Sequence, residues 1–452
     1  MEEEVEEKRL KSKNLESEIE AVADRFIESS STKDIFIISH FDTDGITSAT
    51  ILIQTLKKMD KRFSLKIVKR LEEEIFLSLP KDKVIIFLDL ASGSLNHLSG
   101  IDLSNLFIID HHEIFQEIPK ELNIINPHLN GKEEISSSSL VYLFCKQLTG
   151  ENKELAKLAI LGMIGDSMEK SIDKLNNLII NDGEVRRKRG ILIYPSTRPI
   201  NRTLEYCSDP YIPGITGNPQ GVIELLRETG LNPQNGKYKS LVELDDSEMS
   251  KLVTAIILKN PKVRNREIIG DIFLIKFFNK LEDARELSAM INACSRLGES
   301  ETAVQFCMES LKAKKKAELI HARYKQFIIS GLKFAAEAEK VEGNGFVIIN
   351  AKENIKDTMI GTIASILSNS SIYEEGTIIT TMAYYEDKIK VSARSVGKSG
   401  RNIREVLTTI IEKVGGEVGG HEFAAGCMLK QEKETEFLEH LKKNLEIELV
   451  KI

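Results

Sequence analysis

Cysteine is sparse in this chain of 452 residues, and its five copies are scattered without any C-x-x-C spacing. An odd, widely spaced set argues against a disulfide framework or a thiolate zinc site and favours buried thiols in a reducing compartment. The sequence also lacks an apolar run long enough to span a membrane, and its acidic N-terminus is unlike a signal peptide. We therefore expect a cytoplasmic protein without membrane contact.

An excess of positive charge is missing too, because the formal net charge is -7 at pH 7. This argues against a uniformly basic nucleic-acid-binding protein, although a basic groove can coexist with an acidic total. The hydrophobic content of 41% and the charged content of 29% are those of an ordinary globular protein. At this length two or three domains are expected.

Acidic and histidine side chains follow four apolar runs, at 35–38, 84–88, 106–109 and 158–164. The first three runs are short and β-branched, which predicts buried parallel strands. Residues just past the carboxyl ends of parallel strands converge on one crevice. Carboxylates mixed with imidazoles suit Mn²⁺ or Mg²⁺ better than a thiolate-seeking metal. The sequence therefore predicts a centre for two divalent ions, with Mn²⁺ preferred and Mg²⁺ possible.

The order of these polar segments resembles that of the DHH phosphoesterase superfamily. It comprises H-x-D-x-D-G at 40–45, a lone Asp89, D-H-H at 110–112 and G-D at 165–166. Near the C-terminus, G-G-H at 419–421 resembles the signature of the superfamily's second domain, DHHA1. Within the superfamily the sequence is most similar to RecJ-like single-strand exonucleases, particularly the archaeal GINS-associated type. The resemblance covers roughly residues 34–190 and 300–452.

The resemblance implies an α/β fold in which a doubly wound, mainly parallel DHH domain is joined by a long helix to a smaller α/β DHHA1 domain. Pro, Gly, Arg and Asn over 182–219 predict an irregular connection, whereas the proline-free stretch at 302–340 predicts one extended helix. The expected organisation is an N-terminal acidic helix at 1–33, the DHH catalytic domain at 34–190, a connection with a small helical insertion at 191–301, the bridging helix at 302–340 and the DHHA1 domain at 341–452.

The resemblance also assigns roles within the predicted metal centre. One ion would be bound by His40 and Asp42, the other by Asp44, His111 and Asp166, with Asp89 bridging the two. The catalytic set would be Asp89 together with Asp110, which orients a neighbouring imidazole, and His112, which meets the scissile phosphate or the leaving oxygen. Any one of these residues alone is better explained as a turn-former or a cap, and the complete ordered set is what indicates a metal centre.

Predicted contacts to nucleic acid are Arg198, Arg296, Arg394, Gly419, Gly420 and His421. The glycines permit close backbone approach to a phosphate, although a plain turn explains them equally well. A half-buried Arg394 on a strand needs an anionic partner, either a local Glu or, by resemblance, a phosphate.

The segment N-A-C-S-R-L-G at 292–298, which contains Arg296, resembles a backbone-contacting segment of RecJ. It departs from the usual Ala-Gly at Cys294 and Ser295. Arg198 and the basic run at 186–189 would line the groove or form solvated surface. The serines at 136–139 are read as a helix cap, with a phosphate contact as the alternative.

Taken together, these features predict a metal-dependent exonuclease that degrades single-stranded DNA, RNA or both to mononucleotides, in replication, repair or RNA turnover. The resemblance implies the GINS complex as a protein partner. One alternative is a phosphodiesterase of short oligonucleotides or cyclic dinucleotides, although such enzymes are usually shorter. Another is a non-catalytic replication scaffold, which the complete set of expected ligands disfavours.

Overall fold

The computed structural model describes residues 14–131, 134–150, 152–170, 172–207, 210, 212–259, 268–370 and 372–446. The chain divides into two compact units. The first comprises the chain up to Arg189 and Asp271–His321, and the second comprises Gly190–Gly270 and the chain from Ala322 onward. The first unit is therefore discontinuous in sequence. Part of the predicted N-terminal helix (1–13) and the end of the last predicted segment (447–452) lie outside the described residues.

Helices and strands alternate over the first part of the chain. They are α1 (Leu15–Ser29), β1 (Ile35–His40), α2 (Thr43–Lys58), β2 (Phe63–Val68), α3 (Glu73–Leu77), β3 (Val84–Leu88), β4 (Leu106–Ile109), β5 (Asn123–Ile125), α4 (Ser137–Thr149), α5 (Ala156–Gly165), α6 (Lys174–Asp182) and β6 (Arg186–Ile191). The fourth apolar run of the sequence is thus helix α5.

Strands β1 to β5 form a fully parallel sheet in the order β2-β1-β3-β4-β5. Alternate strand residues face two different cores: Ile37 and Ile86 pack into one with α1, α2, α4 and α5, whereas Ile38 and Phe87 pack into another. Because both faces are covered at the centre of the sheet, β3 and β4 are apolar along their whole length. The predicted doubly wound, mainly parallel α/β fold is confirmed.

The middle of the chain contains helices, two strands and then helices again. These elements are α7 (Ile200–Glu205), α8 (Pro219–Glu228), α9 (Asp246–Lys259), β7 (Ile269–Phe277), β8 (Lys280–Asp283), α10 (Ala284–Arg296), α11 (Ser300–Cys307) and α12 (Leu311–Glu337). The region 191–301, for which a small helical insertion is predicted, contains α8 and α9, which share a core that includes Val222, Leu225 and Leu252.

The basic run at 186–189 lies on strand β6, so the irregular connection predicted for 182–219 is wrong at this point. Arg187 lies 5.6 Å from the centre of the Phe273 ring, and the Arg189 guanidinium is 3.4 Å from the Asp271 carboxylate. Both partners belong to β7. Because β7 is distant in sequence, no local pattern revealed that the basic run would be extended.

The single helix predicted for 302–340 is broken into α11 and α12. At the break Glu309 adopts a left-handed conformation with φ of 57°. Its carboxylate accepts a hydrogen bond of 2.6 Å from the Phe278 backbone N–H and pairs with Lys157. The division between the two units falls within α12, after His321.

The last part of the chain forms a mixed six-stranded sheet with three helices. Its elements are β9 (Val341–Gly343), β10 (Phe346–Asn350), α13 (Asp357–Ser368), β11 (Ile378–Tyr385), β12 (Lys388–Ser395), α14 (Ile403–Val414), β13 (Glu417–His421), β14 (Ala424–Lys430) and α15 (Glu434–Glu446). The strand order is β13-β14-β12-β11-β10-β9. Helices α14 and α15 bury Ile410 and Phe437 against one face, where they meet Val391.

No helix in the described part of the chain is long and apolar enough to cross a membrane. All five cysteines are buried free thiols, as their spacing predicted. Burial raises the pKa of the Cys145 thiol to about 12, so this thiol is protonated at neutral pH.

Candidate metal centre

His40 and Asp42 lie where strand β1 passes into helix α2. His40 is the last residue of the strand, and Asp42 caps the helix by accepting the Gly45 N–H at 3.0 Å. The His40 Nδ1 is 3.0 Å from the Asp42 carboxylate. Gly45 is required in this turn because a Cβ there would lie 2.3 Å from the His40 carbonyl oxygen. The tight turn thus brings both side chains together.

Asp44 is fully buried in the first turn of α2. Its two carboxylate oxygens accept the backbone N–H groups of Ser137 (2.7 Å) and Ser138 (3.0 Å) at the start of α4. A helix N-terminus stabilises an anion through these unsatisfied N–H groups and its dipole. The absence of a side chain at Gly162 provides space for the Asp44 carboxylate, because a Cβ at this position would lie 2.3 Å from it.

Asp89 follows strand β3 and is 1% exposed. Its backbone φ is 59°, in the left-handed region that a non-glycine residue adopts only where its surroundings hold it there. One carboxylate oxygen is 3.2 Å from the His40 Nδ1, and the other is 3.5 Å from the His111 Nε2. The second oxygen also accepts the Ser137 hydroxyl at 3.0 Å. Asp89 therefore lies between two sets of potential ligands.

Asp110, His111 and His112 follow strand β4. The buried Asp110 carboxylate is 2.7 Å from the His112 Nδ1 and accepts the backbone N–H groups of Ser92 and His111. Half of the His112 side chain is exposed, whereas 13% of the His111 side chain is. Asp110 thus orients the imidazole that is more accessible from outside.

Asp166 ends helix α5. Its Oδ2 is buried and accepts no hydrogen bond from any residue that the structure describes, and it lies 3.4 Å from the His111 Nε2. An unsatisfied buried carboxylate oxygen is unfavourable unless a further group binds it. Its placement beside an imidazole fits a cation ligand.

The ligand atoms of this region form three overlapping groups. The first ligand group is His40, Asp42 and Asp89, the second is Asp44, His111 and Asp166, and the third is Asp89, His111 and His112. Within each group the candidate atoms lie within 4.8 Å of one another. Hard carboxylate oxygens and imidazole nitrogens suit a divalent cation, so the site offers several ligand sets for one.

The electrostatics of the carboxylates favour the binding of a cation. Burial, followed by the charges of Asp42 and Asp44, raises the pKa of Asp89 well above its ordinary value. Burial, followed by the charges of Asp44 and Asp89, does the same to the pKa of Asp166. Both shifts arise from crowding of negative charge in a buried site, which a bound cation relieves.

The imidazoles differ in charge preference. Burial by itself would lower the pKa of His112, but its hydrogen bond with Asp110 and the charge of that carboxylate outweigh burial and raise it. Asp42 raises the pKa of His40 against burial in the same way. Burial dominates for His111 and lowers its pKa, which favours the neutral form that ligates metals.

Four of the predicted nucleic-acid contacts lie close in register on the mixed sheet. Arg394 on β12 and His421 on β13 are both opposite Ala424 on the intervening strand β14. Directly opposed residues project from the same face of a sheet, so these two side chains flank Ala424, with strands roughly 10 Å apart. Gly419 is paired with Gly426, so no side chain projects from the sheet at this neighbouring pair.

His421 is exposed, and Gly420 has a φ of 115° that a side chain would strain. Arg394 is half-buried, and its guanidinium donates to the Ala393 carbonyl at 2.8 Å and to the Ser365 hydroxyl at 3.1 Å. The sheet face that carries both residues is opposite the one covered by α14 and α15.

The remaining two predicted contacts are placed separately. Arg296 ends helix α10, where its Nε donates to the Asn292 side chain at 3.1 Å. Arg198 is exposed in the turn before α7. The serines at 136–139 begin α4, and the Ser136 side chain accepts the Ser139 N–H as its cap.

Sequence reasoning missed two features of the centre. The backbone of Ser137 and Ser138 binds Asp44, although the serine run was read only as a cap or phosphate site. The second is His128, whose Nε2 lies 3.0 Å from the His111 carbonyl oxygen. For the serines, the sequence signalled only the start of a helix. It did not indicate that Asp44 would bind there.

Three family models match successive parts of the chain. The model of the DHH family N-terminal domain matches residues 34–164, that of the DHH-CID domain 193–266 and that of the DHHA1 domain 344–446. An uncharacterised protein of Methanocaldococcus jannaschii is 31% identical over 427 residues, which cover 90% of this chain and 92% of that protein. The chain belongs to the DHH superfamily.

Two RecJ proteins are also similar to this DHH protein. The single-stranded-DNA-specific exonuclease RecJ of Bacillus subtilis is 24% identical over 435 residues, which cover 91% of this chain but 45% of that protein. The crystal structure of Thermus thermophilus RecJ with Mn²⁺ superposes with a TM-score of 0.59 at 17% identity, covering 95% of this chain and 55% of that one. The DHH protein thus spans about half the length of both.

Proposed function

We propose that this DHH protein is a two-metal-dependent exonuclease that hydrolyses single-stranded DNA, RNA or both to mononucleotides. The observation that carries the proposal is Asp89, whose two carboxylate oxygens lie near His40 on one side and His111 on the other. A shared carboxylate between two ligand groups is what a pair of adjacent ions requires. The Bacillus subtilis relative, a single-stranded-DNA-specific exonuclease, supports the choice of substrate.

In this proposal the first ligand group holds one ion, the second holds the other, and Asp89 serves both. Bound divalent ions supply Lewis acidity, which lowers the pKa of water and neutralises charge on phosphoryl oxygens. Imidazole in both groups favours Mn²⁺ over Mg²⁺. The N–H groups at the start of α4 keep Asp44 in place, so the carboxylate needs no rearrangement to act as a ligand.

His112 is the proposed proton donor. Asp110 holds its Nδ1, orients the ring and favours the protonated form, which leaves the Nε2–H for a phosphate or leaving oxygen. The exposure of this side chain, in contrast to the buried His111, allows it to touch a substrate. A general acid of this kind contributes on the order of 10²–10⁴-fold to a rate.

The proposed grip on the strand comes from Arg394 and His421 on one sheet face, with Gly419 and Gly420 beside them. Small residues between the two side chains leave room for a sugar-phosphate backbone to approach the sheet. Arg296 and Arg198 are proposed as further phosphate contacts. Because these contacts address the backbone, they bind without regard to base sequence.

The test is a substrate panel in Mn²⁺: end-labelled single-stranded DNA, single-stranded RNA, duplex DNA and a cyclic dinucleotide. The proposal expects mononucleotide release from a single strand, no attack on duplex, and loss of activity with a chelator. Affinity for a long strand should also fall steeply with salt, since each neutralised phosphate contributes about -0.7 to the log–log slope. Preferred hydrolysis of the cyclic dinucleotide, with a flat salt response, would favour the small-substrate phosphodiesterase instead.

The GINS complex is proposed as the protein partner, on the resemblance of the motifs to the archaeal GINS-associated type. Purified GINS is mixed with the Asp89→Asn variant, which is expected to lack hydrolysis, and the mixture is tested for a stable complex. Hydrolysis then does not interfere with the measurement. Absence of a complex at micromolar concentrations would remove GINS from the proposal and leave the nuclease activity untouched.

A further inference from the structure

Helix α10 contacts both segments that carry ligands of the second group, although it lies more than a hundred residues further along the chain. The Thr43 hydroxyl, between Asp42 and Asp44, donates to the Ser288 carbonyl at 3.1 Å. Gly165, directly before Asp166, lies so close that a Cβ there would be 2.9 Å from the Thr43 Cβ and 3.5 Å from the Ser288 hydroxyl. Helix α10 thus packs where the two segments meet.

A second contact from α10 is an ion pair in which the Arg285 guanidinium is 2.7 Å from Glu169. The exposed fractions of the two side chains are 16% and 6%. The other Glu169 oxygen, Oε2, is buried and has no hydrogen-bond partner among the described residues. Removing one member of such a buried pair leaves an uncompensated charge, so the carboxylate would be forced to move towards water.

Glu169 is one short turn beyond Asp166. The chain leaves α5 at Asp166, passes through Ser167 with a left-handed φ of 59° and enters a 3₁₀ turn at Met168–Lys170. The Asp166 Oδ2 accepts no hydrogen bond from any described residue and lies 3.4 Å from the His111 Nε2, so the backbone at this turn contributes to its position. Arg285 fixes the far end of that backbone through Glu169.

We infer that Arg285 is a positioning residue for the second ligand group, acting through Glu169 to hold Asp166 in place. The inference rests on the proposed metal centre and adds to it a residue outside the family's signature segments. Groups that orient metal ligands typically contribute 10- to 100-fold to metal affinity. Loss of the pair is therefore expected to weaken one ion and to spare the other, because the first ligand group is held together by its own contacts among His40, Asp42 and Asp89.

The experiment measures metal binding directly. Mn²⁺ is titrated into the full-length protein and followed by the electron paramagnetic resonance signal of free Mn²⁺ and by calorimetry, which give two stepwise affinities. Arg285→Met is expected to lower one affinity by 10- to 100-fold and leave the other within twofold. Arg285→Lys keeps the charge but not the planar fork, so it should restore part of the loss. Glu169→Gln should weaken the same ion without altering side-chain size.

Lys146→Met is the matched control, because Lys146 forms an ion pair of the same 2.7 Å length with Asp182 in the same unit. It should leave both Mn²⁺ affinities unchanged. The inference is overturned if Arg285→Met binds two ions like the wild type, if it weakens both ions equally together with the melting temperature, or if Lys146→Met has the same effect. A wild type that binds no Mn²⁺ would instead overturn the metal centre itself.

Discussion

Replacing Asp89 with Asn should change the stability of the protein in opposite directions without and with metal. Asparagine has the same shape, so it still fits the left-handed backbone and can accept the Ser137 hydroxyl. It removes a buried carboxylate whose pKa is raised, first by burial and then by Asp42 and Asp44. In the metal-free protein that carboxylate is unfavourable at neutral pH, so the variant should be the more stable of the two.

The size of the effect follows from the spacing of the carboxylates. The candidate oxygens of Asp42 and Asp89 lie within 4.8 Å, and two like charges at that distance repel by about 3.5 kcal/mol at an effective dielectric constant near 20. The neighbouring His40 offsets part of this. A raised folded-state pKa adds stability below the unfolded value of about 4 and loses it as the pH rises through the folded value. The advantage of the variant should therefore vanish below about pH 4.

Mn²⁺ should reverse the order. At a concentration 100 times its dissociation constant, an ion stabilises the wild type by about 2.7 kcal/mol. Loss of a ligand that is shared by two ions should lower the Mn²⁺ affinity by at least about 100-fold. This is the upper end of the effect of residues that only orient metal ligands. The variant would then gain only about 0.4 kcal/mol at the same concentration. Hydrolysis should fall at least 100-fold in parallel.

Thermal melting at pH 7, with a chelator and then with Mn²⁺, measures both halves of the effect. Asp102→Asn is the control, because Asp102 is an exposed carboxylate that accepts hydrogen bonds from Ser104 and Asn105. It should melt like the wild type under both conditions. Equal Mn²⁺ stabilisation of Asp89→Asn and the wild type, or retention of a tenth of the activity, would refute the shared-ligand role.

Three further outcomes are expected. His421→Ala, on an exposed strand residue, should weaken single-strand binding and slow cleavage of long substrates, while metal content and hydrolysis of a small activated phosphodiester change little. Mn²⁺ binding should release more protons and become weaker as the pH falls, because the raised pKa values of Asp89 and Asp166 extend upward the pH range in which protons compete with the ion; calorimetry in two buffers of different ionisation enthalpy measures this. Gly162→Ala should lower Mn²⁺ affinity at least tenfold, because its Cβ would lie 2.3 Å from the Asp44 carboxylate.

Each of these outcomes has its own control. For His421→Ala, equal loss on both substrates together with loss of metal would make the residue structural or a ligand. Identical binding heats in the two buffers would show that no proton is released. Gly93→Ala serves as the control for Gly162→Ala, because a Cβ at Gly93 meets nothing within 4 Å. Wild-type affinity in Gly162→Ala would mean that Asp44 is not a ligand.

The central strands of the parallel sheet were predictable because burial on both faces makes β3 and β4, and β1 over 35–38, continuously apolar. His40 and Asp89 were predictable as neighbours for a related reason, since parallel strands release their next residues at one edge of the sheet. The resemblance of the motifs then gave the same grouping of candidate ligands that the structure brings together. The polar residues directly follow the apolar strand residues in the sequence, so one sequence is enough to predict which side chains lie at the strand ends.

Contacts that depend on a distant partner were not predictable in this way. The serine run does not indicate a contact with Asp44, and the sequence around Arg187 does not indicate a contact with Phe273. The break before α12 depends on Glu309 meeting the Phe278 N–H, a match formed only after both segments are folded. Propensity favoured a continuous helix there, and tertiary contacts overrode it.

The interrupted first unit has a consequence for synthesis. Residues 40–166 provide every candidate metal ligand, yet Ser288 and Arg285 on α10 belong to the segment that returns at Asp271. A ribosome adds residues at about 5–20 per second, so the roughly 130 residues between Asp166 and the end of α10 take about 7 to 26 s. During that interval the nascent segment that carries the candidate ligands lacks the helix that packs against it, so the proposed centre stays incomplete until translation has passed Arg296.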